Sequence, residues 1–303
     1  MHPWEIGYCA QLSCALEAAC PKPGNVNRYH DFRDTSLEHY LASAVAVGRT
    51  MTKAAEAGHR HADQEEHHKI GIGRLILEAV LETRRWHTGR NTNLGLVALL
   101  IPMCASYGSA ARHRETNDEN VRKTLDSIVK STTVDDARSF FRAIRQARPG
   151  GLGNHRDLDV RDPGSDRVIQ EKGMNLYSVL KLSSYDSIAR ELTDKMRVTY
   201  DIGYPAILEE YERTGSLREG ILYGYMKILS QVPDSLIARK KGPEAAKKVA
   251  EEAERLLEAG LPPDEMDAFD KMLRAEGNAF NPGTTADLTA SSLMVCILKG
   301  ARP

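Results

Sequence analysis

Fourteen consecutive residues, Pro21 to Asp34, hold two prolines, a glycine, two asparagines, two arginines, a lysine, a histidine and two aspartates. Lys22, Arg28 and Arg33 are cations of the kind that clamp phosphate. Asp31 and Asp34 can hold a divalent metal or act as a general base. A solvated loop of local ion pairs would need the charges, and such pairs contribute little. It would not need Pro, Gly and Asn interleaved so densely with them. A phosphorylated substrate would.

Four further polar knots interrupt the chain, at 88–95, 200–205, 233–242 and 281–287, each with Gly or Pro beside Asp, Asn, Lys or Arg. In the last, Pro282-Gly283 sets a turn and Thr284 and Thr285 offer hydroxyls. The free amides of a helix start there favour an anion. Taken alone, this knot reads more simply as an ordinary helix start, with Thr284 as N-cap and Asp287 closing a capping box. Asp201 likewise reads as a turn residue, Asp234 as an N-cap, and Asn91 and Asn93 as caps before residue 94. Each plain reading stands by itself; five together point to a site.

The elements that must position these knots are helices. Apolar residues recur at helical spacing almost throughout, and period-two alternation is nearly absent. Helices are expected at 4–20, 36–57 (with Thr35 and Glu38 as its capping box), 70–86, 94–107, 120–130, 134–147, 173–198, 205–213, 217–231, 243–259, 263–276 and 286–299. The 94–107 stretch is apolar all round and reads as a buried central helix. Residues 58–69, with His59, His61, His67 and His68, read as a solvated loop rather than a metal site, and 111–120 as a charged loop. Pro149-Gly150-Gly151-Leu152-Gly153 opens the longest irregular stretch, to about 170. The expectation is one all-α, bundle-like domain over 1–303, with the site built from loops at helix ends.

Composition narrows the partners. The chain is 41% hydrophobic and 27% charged, with 41 basic and 42 acidic residues and a net charge of −1. No overall field favours nucleic acid or an anionic membrane, so anion binding must be local. No uninterrupted apolar run of bilayer length and no signal peptide are visible, and the five cysteines show no C-x-x-C spacing. Reduced cysteines in a cytoplasmic protein are expected. The oligomeric state stays open, with a homodimer as one option.

Lys22-Pro23-Gly24-Asn25-Val26-Asn27-Arg28, with Arg33-Asp34 behind it and Tyr40 and Ser43 on the next helix, resembles the signature of triphosphoribosyl-dephospho-CoA synthases. That family's run is Lys-Pro-Gly-x-Val-Asp-Arg followed by His-Arg-Asp-Met-Asp. Asn91-Thr92-Asn93-x-Gly95 resembles its Asn-Thr-His-Lys-Gly. Asp234-Ser235, Arg239 and Gly242 resemble its Asp-Thr-Asn and Arg-Gly-Gly. Asn281-Pro282-Gly283-Thr284-Thr285-Ala286-Asp287-Leu288-Thr289-Ala290 resembles Ser-Pro-Gly-Gly-Ser-Ala-Asp-Leu-Leu-Ala. The matches keep the family's order and span about 22–290. Departures mark a divergent branch. The family's His-Lys pair is Asn93-Leu94 here, its second aspartate in the first motif is Ser36, and Val198 to Asp201 replace its Arg-Gly-Glu before Gly203-Tyr204-Pro205.

The resemblance implies a transferase that joins the triphosphoribosyl part of ATP to a hydroxyl of dephospho-CoA and expels adenine. It implies that Lys22, Arg33 and the Asn281–Thr285 turn hold phosphates, with Gly24, Arg28, Arg239, Gly283 and Thr284 contributing. Asp34 and Asp234 would bind Mg²⁺. Asp201 or Asp287 would serve as base or electrostatic stabiliser, with Asp34 the third catalytic carboxylate. Asn25, Asn91 and Asn93 would orient ribose or base. Two other readings remain. One is a family member with a different acceptor, in the synthesis of a one-carbon carrier of the tetrahydromethanopterin or methanofuran type. The other is a non-catalytic nucleotide-binding protein.

Overall fold

The computed structural model describes residues 1–150 and 158–303; Gly151, Leu152 and Gly153 of the glycine-rich break lie outside them. The fold is all-α, with no strand among the described residues. Two compact units make it up. The first comprises Met1–Gln11 and Ala42–Met196, the second Leu12–Leu41 and Arg197–Pro303. Helices α1 (Pro3–Ala19) and α2 (Leu37–Arg60) contribute residues to both.

The first unit adds a 3₁₀ turn (Gln64–Lys69), α3 (Ile72–Trp86), α4 (Leu94–His113), α5 (Asp118–Lys130), α6 (Val134–Ala147), α7 (Ser165–Glu171), α8 (Leu176–Leu182) and α9 (Ser187–Thr193). Helix α4 is its axis and is buried from Leu94 to Ala110 except at Gly95. It is the one helix among the described residues long and apolar enough to cross a membrane, yet 89% of its apolar window lies inside the protein. Helix α2 meets it backbone to backbone. A Cβ on Gly58 would overlap the Ala105 carbonyl, and one on Gly108 would overlap the Ala55 carbonyl. Helix α3 packs on α6, where Asp136 closes a capping box with Thr133 and also accepts the Gly73 amide at 2.8 Å.

Several sequence expectations are corrected. Residues 173–198 are not one helix. Asn175 caps α8 through the Ser178 amide (2.9 Å) and Asp186 caps α9 through the Ile188 amide (2.9 Å). Side chains of this kind compete with the helix interior for backbone groups and restart the chain. Helix α4 runs six residues past its expected end at 107 and stops where Arg114 turns left-handed (φ 60°). The 58–69 stretch is not simply a solvated loop. His67 is buried, with Nδ1 2.9 Å from Ser127 Oγ and Nε2 3.2 Å from the Ala62 carbonyl.

The second unit contains a π-helical turn (Thr199–Gly203), α10 (Tyr204–Thr214), α11 (Leu217–Gln231), α12 (Ser235–Lys241), α13 (Pro243–Glu258), α14 (Pro263–Arg274) and α15 (Gly283–Leu298). Tyr225, Met226, Leu229, Ile237, Val249, Leu256, Phe269 and Leu273 form a common core for α11 to α14. Helix α12 lies inside what reads as a polar knot and is absent from the helices expected by periodicity, yet it starts at Asp234, the residue that reads as an N-cap. The start of α2 also differs. Thr35 is held by Phe32 in a tight turn, and the Asp31 carboxylate accepts the Leu37 amide at 2.9 Å.

Candidate functional site

The Pro21–Asp34 stretch belongs to the second unit and folds as two successive tight turns. Asn27 and His30 exchange backbone bonds (2.9 and 3.3 Å), leaving Arg28 and Tyr29 at an exposed tip. Phe32 and Thr35 do the same (2.9 and 3.3 Å), leaving Arg33 exposed and Asp34 half-buried at a second tip. Gly24 has φ +73°, and a Cβ there would lie 2.8 Å from Leu273 Cδ1, so only glycine fits. The motif is stitched to distant helices. Asn25 Nδ2 donates to Tyr225 Oη (2.7 Å), and Tyr225 Oη donates to the Pro23 carbonyl (2.8 Å). Gly24 N donates to Asp270 Oδ1 (2.7 Å), and Arg274 Nη2 donates to the Asn25 carbonyl.

Lys22 is not a loop cation. It is 1% exposed, with Nζ 3.0 Å from Glu17 Oε1 and donating to the Glu17 and Cys20 carbonyls. An ammonium has three N–H donors, and all three have partners here. Burial raises the Glu17 carboxyl above its ordinary range, against the pull of Lys22. Asn25 is buried in the bond to Tyr225, whose phenol burial pushes up. Arg28 Nε donates to the Ala19 carbonyl (2.9 Å) at the C-terminus of α1, where a cation suits the helix dipole.

The Asn281–Asp287 turn starts α15, and Thr284 does not cap it. Asp234 does, from 51 residues upstream. Its Oδ2 accepts the Thr285 amide (2.7 Å) and hydroxyl (2.9 Å), while its Oδ1 accepts the Leu236 (2.8 Å) and Ile237 (3.0 Å) amides of α12. One carboxylate thus caps two helices. It is 1% exposed, and four bonds fill its acceptor sites, which leaves none for the metal expected there. Burial pushes its carboxyl up, opposed by those same bonds. Above it, Ser235 Oγ lies 3.1 Å from Thr284 Oγ1, and half-buried Arg239 reaches Ser235 Oγ at 3.5 Å. Asn281 accepts the Gly283 amide through its backbone carbonyl (2.8 Å), and a Cβ on Gly283 would lie 2.8 Å from Leu236.

The first and last knots touch where a Cβ on Gly24 would lie 2.9 Å from Pro282 Cδ, and both act electrostatically on Tyr40. Its phenol is pushed up by burial and then by the carboxylates of Glu17, Asp287 and Asp34, in that order. Cys14 is pushed up by burial, Glu17 and Asp287. Acids from α1, the second turn and α15 thus bear electrostatically on one phenol. Asp34 and Asp287 are both half-buried. Among the described residues no group of three or more His, Cys, Asp or Glu could hold a metal by itself. Asp201 is exposed in the π turn, a backbone form common at functional sites.

Asn91 and Asn93 belong to the first unit. Asn91 Oδ1 accepts the Leu94 amide (3.0 Å) and so caps α4 from two residues before its N-cap position, while Asn93 Nδ2 donates to Thr83 Oγ1 (2.8 Å). Thr92 Oγ1 lies 2.6 Å from Ser43 Oγ, and His87 Nε2 lies 2.9 Å from Ser43 Oγ.

Sequence reasoning passed over Glu17, Tyr225, Asp270 and Arg274, and gave Tyr40 no role. Glu17 had a signal: it is the one charge in the run from Cys14 to Cys20. Asp270 and Arg274 had none, since an i,i+4 pair in a charged helix reads as surface.

The solved structure of a proposed triphosphoribosyl-dephospho-CoA synthase from Archaeoglobus fulgidus is similar at TM-score 0.68 and 28% identity, covering 88% of this chain and all of that one. No curated protein matches. The family description that matches is CitG, ATP:dephospho-CoA triphosphoribosyl transferase, over residues 3–303. Motifs at both ends of the second unit and a match spanning nearly every residue lead to one conclusion: the chain is a transferase and belongs to the CitG family.

Proposed function

We propose that this protein transfers the triphosphoribosyl group of ATP to a hydroxyl of dephospho-CoA and releases adenine. The observation that carries the reading is the close approach of the first and last motifs at Gly24 and Pro282, with Arg33 exposed at the second tip of the same stretch. In the reaction the glycosidic C–N bond of ATP breaks, and its electron pair leaves with adenine. A C–O bond forms to the acceptor, whose hydroxyl proton passes to a carboxylate, and adenine takes up a proton as it departs. The sugar carbon is cationic at the transition state, so a fixed negative charge beside it lowers the barrier.

Arg33 holds phosphate in this scheme, whereas the Thr284 and Thr285 hydroxyls expected to help are buried against Ser235 and Asp234 and serve the wall of the site. Asp34 and Asp287 would hold Mg²⁺ together with the triphosphate, and the ion would neutralise phosphate charge. Whichever carboxylate faces the acceptor takes its proton. Lys22, Asn25 and Asp234 shape the walls rather than touch substrate. Asp201 is the further candidate base.

The test is incubation with ATP, Mg²⁺ and dephospho-CoA, followed by measurement of free adenine and of the coupled product. Both are expected. Asp34→Asn is expected to lower kcat/KM by roughly 10²–10⁴, the usual worth of a positioned acid or base. Absence of adenine with every acceptor would favour the non-catalytic reading. A second reading keeps the donor and changes the acceptor to a one-carbon-carrier precursor. It is favoured by Asn93 and Leu94, where the side chain of one is tied to Thr83 and the other is buried, so this loop offers no ionisable pair. Adenine release that appears only with such a precursor would select it.

A further inference from the structure

We infer that Asp270 and Arg274, one turn apart on α14, are positioning residues that aim the Arg33–Asp34 tip at the substrate. The inference rests on the transferase reading above. Arg274 Nε lies 2.8 Å from each oxygen of Asp270, with the two side chains 16% and 13% exposed. The pair then reaches the loop at four places. Asp270 Oδ1 accepts the Gly24 amide at 2.7 Å, and Asp270 Oδ2 lies 3.6 Å from His30 Nδ1. Arg274 Nη2 donates to the Asn25 carbonyl, and the guanidinium lies 5.3 Å from the Phe32 ring centre.

These contacts cover both tight turns. Gly24 and Asn25 precede the first, His30 closes it, and Phe32 opens the second. The orientation of Asp34 therefore depends on a side chain 240 positions further along the chain, while that side chain does not itself belong to the reacting cluster. A planar guanidinium can serve an acid, a carbonyl and an aromatic face at once; a lysine ammonium cannot. A misplacement of about 1 Å at a reacting group can cost roughly 10²-fold in rate. The pair thus has leverage on catalysis beyond its contribution to stability.

The experiment compares Arg274→Gln and Arg274→Lys with Leu256→Ala in the full chain. Leu256 is buried in the α11–α14 core and is no part of the loop contacts. For Arg274→Gln, kcat/KM for ATP is expected to fall by roughly 10–100-fold, mainly in kcat, with Arg274→Lys in between. Leu256→Ala is expected to lower the unfolding midpoint at least as much while leaving kcat/KM within about twofold. Equal activity losses in Leu256→Ala and Arg274→Gln, or an unaltered kcat/KM in Arg274→Gln, would overturn the inference. If the unmodified protein releases no adenine, the transferase reading fails by itself. Hydrogen exchange then decides the pair separately. Faster exchange over residues 24–35 in Arg274→Gln supports it, and unchanged exchange rejects it.

Discussion

Lys22 shows how one residue type can mislead about its role. A lysine beside Pro-Gly-Asn reads as a phosphate ligand, but its ammonium is enclosed by Glu17 and two carbonyls. Removing one partner of a buried pair leaves the other charge uncompensated, at a typical cost of about 3–5 kcal/mol. Lys22→Met is therefore expected to lower unfolding stability by that order, measured by urea denaturation. Glu17→Gln together with Lys22→Met should recover much of the loss, because no lone charge is then left. A Lys22→Met protein of full stability with a raised KM for ATP would return Lys22 to the phosphates. The sequence displays residue types and spacing, so Lys22 was visible. Its partner Glu17 lies only five positions upstream and showed as the one charge in an apolar run, but the fold of the chain past Pro21 that turns Lys22 back onto it is not written in residue types.

Among the elements, the helices were largely readable and their ends were not. Apolar spacing located the starts of α1 to α6, α10, α11 and α13 to α15 within a few residues, because burying one face dictates that spacing. The split of α8 from α9 and the existence of α12 turn on capping side chains, and periodicity is blind to those. Asp234 is the sharpest case, since one of the two helices it caps begins 48 residues after the other. Asp234→Ala leaves both starts open and is expected to cost about 2–4 kcal/mol, twice the usual worth of a cap. Asp234→Asn keeps an acceptor for α12 but offers Thr285 no second oxygen, so about half that loss is expected by the same denaturation assay.

The 3₁₀ turn has a pH signature of its own. Burial lowers His67 below its ordinary value of 6.5, opposed by the Ala62 carbonyl and nearby acids. As pH falls through about 6.5 the unfolded chain takes up a proton that the folded chain resists, so stability is lost in that direction. His67→Gln is expected to flatten the fall in melting temperature between pH 7 and 5. An unchanged slope would assign that loss to other groups.

At the scale of the whole molecule, neither unit is a continuous piece of chain. The second unit needs Leu12–Leu41 as well as Arg197–Pro303. Fragment 197–303 therefore lacks Arg33 and Asp34, and fragment 1–196 leaves the Pro21–Asp34 turns without Tyr225, Asp270 and Arg274. Neither fragment alone should protect the amides of residues 24–35 from hydrogen exchange, and mixing the two should restore protection. Protection in fragment 1–196 alone would show that the turns are self-supporting. The family resemblance ran through the sequence from about 22 to 290 and was readable as ordered motifs. The fastening of the first motif was not, because those bonds span 200 to 249 positions. That separation has a consequence during synthesis. At about 5–20 residues per second, the anchors of the Gly24–Asn25 turn leave the ribosome roughly 10–50 s after the turn itself. The loop is made among the first residues and fastened among the last, so a chain that ends before residue 225 carries it without any of those bonds.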